Sequence, residues 1–150
     1  MEMTDIKRKL ESTTSSIMHE VVSLKNANEG LVINHEKEMD EVFCEFIRVI
    51  DTFESSEQII KEKELDKEEN AQKCVKRLLN AKKKALAVLE KYNVKQITFE
   101  NNKSNDDLCT IVETEPDAAK ETGDIISIEK SGYTRNSRLI RRAEVVIVKN

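Results

Sequence analysis

The side chains with the most chemical capacity lie in the last quarter of the chain, where Arg135, Arg138, Arg141 and Arg142 fall close together. Guanidinium forks suit carboxylates or phosphates, so the cluster could meet an anionic partner or nucleic acid. The second option has little behind it. No aromatic platform accompanies the arginines and the net charge is −4, whereas nucleic-acid modules are basic and stack bases on rings. Asp51 and Glu54 could do acid–base work, but they lie on an amphipathic helical pattern with no pocket residues beside them. His19, His35, Cys44, Cys74 and Cys109 could ligate metal, yet no two sit at ligand spacing on one turn. Cys44 and Cys74 read as small core residues, and Lys82 to Lys84 as a solvated helix face. No Gly-rich phosphate loop, Ser/His/Asp set or paired-carboxylate motif stands out. The expectation is binding without catalysis, cofactor or metal.

Composition points to long helices. Charged residues make up 36% and aromatics 4%, with no Trp, one Pro and three Gly, a balance that suits solvated helices better than one compact ball. Acidic and basic residues are mixed along most of the chain, so neither nucleic acid nor an anionic membrane is expected as the main partner. Three widely spaced cysteines without a Cys-x-x-Cys pair read as reduced thiols in a cytosolic protein. There is no apolar run of membrane-spanning length and no signal-peptide core at the N-terminus, so the expected location is a cytoplasm.

The elements that must position these groups follow from periodicity. Leu10, Ile17, Leu24 and Leu31 form one seven-residue series. Thr14, Val21, Asn28, His35, Val42 and Val49 form a second, four residues out of phase. Together they make an a/d-type seam for a paired helix, with polar seam residues fixing register. Ser12 to Ser16 are mediocre helix formers, and Gly30 costs a helix interior about 1 kcal/mol. From Met39 to Phe53 the apolar face widens to take in Phe43, Phe46, Ile47, Ile50 and Phe53, as where a stalk enters a bundle. Residues 54–70 are polar and should hold a helix end and a connection. A second amphipathic helix follows from about Ala71 to Tyr92, burying Val75, Leu78, Leu79, Ala85, Leu86 and Leu89, and Asn93 suits a left-handed cap.

Past Asn93 the period becomes two. Ile97 and Phe99 suggest the first strand, Asn101 to Asp107 a loop, Cys109 to Glu113 a short strand, and Glu115 to Thr122 another loop. Two β-branched runs, Asp124 to Glu129 and Ala143 to Val148, then flank a polar turn holding Gly132, Tyr133 and the arginines. In the second run Val145 and Ile147 should face one way and Val146 and Val148 the other.

The C-terminal stretch resembles the signature of the GrpE family, nucleotide exchange factors of DnaK-type chaperones. The family's wing pattern is met by Gly123, Ile125-Ile126, Gly132-Tyr133, Arg138, Arg141, Ala143 and Val145 without a gap. Arg142 stands where the family has proline. The bundle-helix run is met by Val49, Ile50, Asp51, Phe53 and Glu54, and the helix exit by Lys91-Tyr92-Asn93-Val94. The likeness covers about Met39 to Val148. Of the family's Phe-Asp-Pro-x-x-His-Glu-Ala-Val motif, which falls on 104–112, only Val112 is kept.

The resemblance implies an α+β fold, with a long N-terminal helix forming a dimeric coiled coil and helical bundle over 1–93 and a small all-β wing over 94–150. It implies a co-chaperone that, as a homodimer, binds the ATPase domain of a DnaK-type chaperone and promotes ADP release. An adaptor with a coiled coil and a β docking module, lacking exchange, is the alternative. By family position the partner contacts are Glu129, Arg138 and Ile147, on the wing's outward face. Gly132 supplies a positive φ or close approach, Tyr133 buries its ring while its hydroxyl finds a partner, and Arg138 and Arg141 offer forks to partner carboxylates. The dimer seam is expected at Leu10, Ile17, Val21, Leu24, Leu31, Val42, Phe46, Val49, Ile50 and Phe53.

Overall fold

A computed structural model describes residues 2–150. Its contacts divide the chain into two units, the residues up to Met39 and Asp40–Asn150. The first unit is helical and belongs to α1 (Glu2–Glu62). The Ser12 to Ser16 run stays in the helix despite its weak propensity. Leu10, Ile17, Val21, Leu24 and Leu31 are all exposed, so no described residue of this unit covers their stripe.

In the second unit the remainder of α1 buries Phe43, Ile47 and Ile50 and half-buries Phe46 and Phe53, while Val42 and Val49 stay exposed. The wide apolar face is therefore two faces. Ile50, expected on the dimer seam, is 0% exposed in the single chain and packs inside it, a correction. α1 ends through left-handed Glu64, with the Leu65 N–H donating to the Ile60 carbonyl at 3.0 Å.

After a polar connection, α2 (Glu69–Lys91) buries Leu89 and half-buries Val75, Leu78, Ala85 and Leu86. Leu79 is exposed instead of buried. The helix closes as its residues suggest. Asn93 adopts φ 58°, and the Tyr92 and Asn93 N–H groups donate to Leu89 and Glu90 carbonyls at 3.0 Å.

Among the described residues six strands form two three-stranded sheets. The first, ordered β1-β4-β5, is antiparallel and comprises β1 (Val94–Gln96), β4 (Tyr133–Arg135) and β5 (Arg138–Arg141). The first strand is thus Val94–Gln96, and Ile97 to Phe99 lies outside it. Ile97 is buried nonetheless, and its N–H donates to the Gly132 carbonyl at 2.8 Å. Burial alone produced the period-two signal there.

The expected polar turn between the β-branched runs contains β4 and β5. Their two-residue loop is Asn136-Ser137, at φ 49° and 65°, with Arg135 paired to Arg138. Two left-handed residues let the hairpin follow the strand twist.

The second sheet is ordered β2-β6-β3, from β2 (Cys109–Glu115), β3 (Ile125–Lys130) and β6 (Ala143–Val148). β6 lies parallel to β2 and antiparallel to β3. Val145, Val146, Ile147 and Val148 are all buried, because a central strand carries apolar residues on both faces. Cys109, Ile125, Ala143, Val145 and Ile147 make one core cluster, with Phe99 packed against it.

Candidate partner-binding surface

The β4–β5 hairpin carries its arginines to carboxylates of α1 in the second unit. Arg135 Nη1 donates to Asp40 Oδ1 at 2.9 Å, and Arg138 Nη2 donates to Asp40 Oδ2. Arg141 grips Asp51 with two donors, at 2.6 and 2.7 Å, and donates from Nε and Nη2 to the Ser131 carbonyl at 3.0 and 2.6 Å. Ser131 Oγ donates to Glu54 Oε2 at 3.0 Å. Asp40, Asp51 and Glu54 share one side of α1 because eleven residues make close to three turns and three more stay on the same face.

Rings back these forks. The Arg135 guanidinium lies 5.2 Å from the Phe43 ring centre and that of Arg141 5.4 Å from the Tyr133 ring centre. Burial works against the Arg141 charge, but the hydrogen bonds and charge of Asp51 outweigh it, so its pKa is raised. Asp51 and Glu54 are therefore anchors for the β-domain. The Arg141 fork, expected to meet a partner's carboxylate, meets one of its own chain.

The α1–α2 contact is also ionic. Lys82 lies 2.9 Å from Glu57 and 3.8 Å from Glu54, with 19% of its side chain exposed. It is an interhelical tie, whereas a solvated face was expected. Cys74 is exposed instead of packed in a core, Cys44 is half-buried, and Cys109 is buried with its thiol donating to the Asn105 carbonyl at 3.1 Å. Among the described residues no group of His, Cys, Asp and Glu could hold a metal ion.

The expected contact residues separate. Glu129 is exposed and accepts a bond from Ser127 Oγ at 2.6 Å. Arg138 is exposed beside Asp40. Ile147 is 8% exposed and belongs to the core cluster. It faces inward, which corrects the outward placement, because β6 is the central strand of its sheet.

The remaining motif positions are structural. A Cβ on Gly132 would sit 2.6 Å from the Ala143 nitrogen and 2.7 Å from Ile97 Cδ1, so close approach is what requires glycine there. Gly123 takes φ 91° and its N–H donates to the Val148 carbonyl at 2.9 Å. Ala143 and Val145 are buried in the core cluster. Tyr133 buries its ring, but among the described residues its hydroxyl has no hydrogen-bond partner, contrary to expectation. Arg142 donates to the Asp106 carbonyl at 3.1 Å, tying the 104–112 stretch to β6 from the position where the family has proline.

Asp40 and Ser131 complete the anchoring set and escaped the sequence reading. Asp40 had one signal: it lies eleven residues before Asp51 on the same helical face.

Helices first and a small two-sheet domain last, joined by arginine–carboxylate pairs within residues 40–150, define an α+β protein whose β-domain is carried on a helix. A family model for GrpE matches residues 1–149, and the chain belongs to the GrpE family. Members of this family are nucleotide exchange factors of DnaK-type chaperones and not catalytic enzymes. The match takes in the N-terminal heptads, beyond the Met39 limit of the motif likeness. No curated protein matches the chain. No helix among the described residues is long and apolar enough to cross a membrane.

Proposed function

We propose that this chain acts as a homodimer that binds the ATPase domain of a DnaK-type chaperone and promotes ADP release during protein folding in a cytoplasm. The observation that carries this reading is the family match over 1–149, which spans the helices and the whole β-domain. In this reading 1–93 is the stalk and dimerisation bundle and 94–150 the wing. Leu10, Ile17, Val21, Leu24, Leu31, Val42 and Val49, all exposed, together with half-buried Phe46 and Phe53, supply the seam between copies. The wing's contacts are Glu129 and Arg138.

The mechanism is linkage. A partner that binds the open nucleotide cleft better than the closed one must weaken ADP, and ADP must weaken that partner equally. A coupling of about 3 kcal/mol corresponds to roughly 150-fold in affinity. No residue of this chain needs to touch nucleotide or break a bond.

A second reading, a coiled-coil adaptor with a β docking module that lacks exchange, is favoured by one observation: Asp40 already accepts a bond from Arg138. The rate of release of a fluorescent ADP analogue from a DnaK-type chaperone decides between them. Acceleration that saturates with added chain supports exchange. No acceleration at saturating concentration removes the exchange reading and leaves the adaptor. A monomeric mass by light scattering would remove the dimer.

A further inference from the structure

β2 ends its sheet. In the order β2-β6-β3 it pairs with β6 on one side and, among the described residues, with no strand on the other. Such an edge points part of its backbone N–H and C=O groups outward. Parallel strands are ordinarily covered on both faces, yet in β2 only Cys109 is buried and every residue from Thr110 to Glu115 is exposed. Ile111 keeps 41% of its surface and Val112 49%, so two adjacent β-branched side chains stand in solvent.

Edges are usually blunted with lysine, proline or a bulge. β2 contains no lysine, Pro116 lies just past its end, and its register shifts once, between Ile111 and Glu113.

Charge narrows the occupant. Asp106, Asp107, Glu113 and Glu115 lie on and around the strand, with no Lys or Arg between Ser104 and Ala119, while Asp117 just beyond it pairs with Lys120 at 3.7 Å. The same strand from a second copy would set acid beside acid, which cross-strand pairing disfavours. A basic strand would gain at the same positions.

We propose that the outer edge of β2 is a docking site for an extended basic segment of another protein, one in which lysine or arginine alternates with β-branched residues. The segment adds to the sheet as a further strand. Main-chain hydrogen bonds hold it, and its alternate side chains meet Glu113 and Glu115 or cover Ile111 and Val112. This stretch includes the part of the chain that departs from the GrpE motif, so the edge is separate from the exchange reading and survives its failure.

The test uses the full chain and a fluorescently labelled ten-residue peptide of alternating lysine and valine, followed by anisotropy and amide hydrogen exchange. Saturable binding, slowed exchange confined to 110–115, and no binding of the glutamate–valine counterpart are expected. Glu113→Lys with Glu115→Lys should weaken binding roughly tenfold, and the milder Glu113→Gln with Glu115→Gln by less, with both helix and sheet content unchanged. Three results would overturn the proposal. They are absence of saturable binding, equal affinity in the charge-reversed chain, and amides at 110–115 protected in the free chain as its concentration rises, which would make a second copy the occupant.

Discussion

Arg141 of β5 and Asp51 of α1, ninety positions apart in sequence, meet through two hydrogen bonds of 2.6 and 2.7 Å. The pair joins the β4–β5 hairpin to the helix, and Arg141 also holds the Ser131 carbonyl in the segment leading into β4. Removing Asp51 leaves a half-buried guanidinium facing an emptied position. Asp51→Ala should therefore cost about 2 kcal/mol, below the roughly 3–5 kcal/mol of a fully buried pair because both side chains keep some solvent. Thermal unfolding followed by circular dichroism reads this directly. A change under about 0.5 kcal/mol would mean that the pair adds nothing net to folding.

Tyr133 sets the alkaline limit. Burial, and secondarily the charge of Glu54, push its hydroxyl pKa from 10.0 up to about 12. The raised value means that the neutral form is favoured on folding. Its contribution is full below about pH 10 and is lost as pH rises through about 12, on the order of 2–3 kcal/mol for two units. Because the hydroxyl has no partner among the described residues, Tyr133→Phe should change stability at neutral pH by less than about 0.5 kcal/mol. It should also flatten the loss above pH 10. Denaturant unfolding at neutral and alkaline pH compares the two, and a neutral-pH loss well above that bound would show that the hydroxyl is bonded after all.

Glu57 acts at the other end of the scale. Hydrogen bonds from Lys61 and then Lys82 hold its carboxyl below the ordinary 4.5. A depressed pKa stabilises the fold above about 4.5, and this is lost as pH falls through the folded value. Glu57→Gln should leave a shallower decline in stability between about pH 5 and pH 3. The midpoint of urea unfolding across that range is the measurement, and an unchanged decline would place the acid sensitivity elsewhere.

Two glycines should respond in opposite directions. Gly132→Ala forces a methyl into the Ala143 backbone and Ile97, which should cost about 3 kcal/mol. Gly30→Ala meets nothing within 4 Å in a helix interior and should stabilise α1 by up to about 1 kcal/mol. Thermal melts of the two variants should shift to opposite sides of the parent. A tolerated Gly132→Ala would mean that β4 and β6 can move apart without harm.

Arg138 tests the proposed contact. Its side chain is 54% exposed, so Arg138→Gln should leave the melting temperature within about 2 °C, as exposed ion pairs contribute little. Affinity for the chaperone ATPase domain should fall about tenfold if a charged pair is lost across the interface. Calorimetric titration gives the affinity. An unchanged value would move the contact away from Arg138.

Element types and the order of the architecture are legible in local pattern alone. Heptad spacing marks α1, Asn93 caps α2, and β-branched runs mark β3 and β6, because these signals are local and repeat along the chain. The short strands were less legible. β1 has three residues and a mixed pattern, and β4 and β5 are joined by Asn-Ser without a glycine, so the region read as a turn. Which of two available roles a side chain takes depends on the folded packing. Ile50 was expected on the seam between copies and Ile147, by family position, on the wing's outward face, and both are buried because packing against the rest of the chain removes them from water. The arginines could have faced a partner, yet Arg141 meets Asp51, because the hairpin brings β5 to a helix face on which Asp40 and Asp51 lie about three turns apart. Periodicity is written in neighbours along the chain. Pairing across ninety residues is set by which surfaces fold together, and only the folded chain displays it.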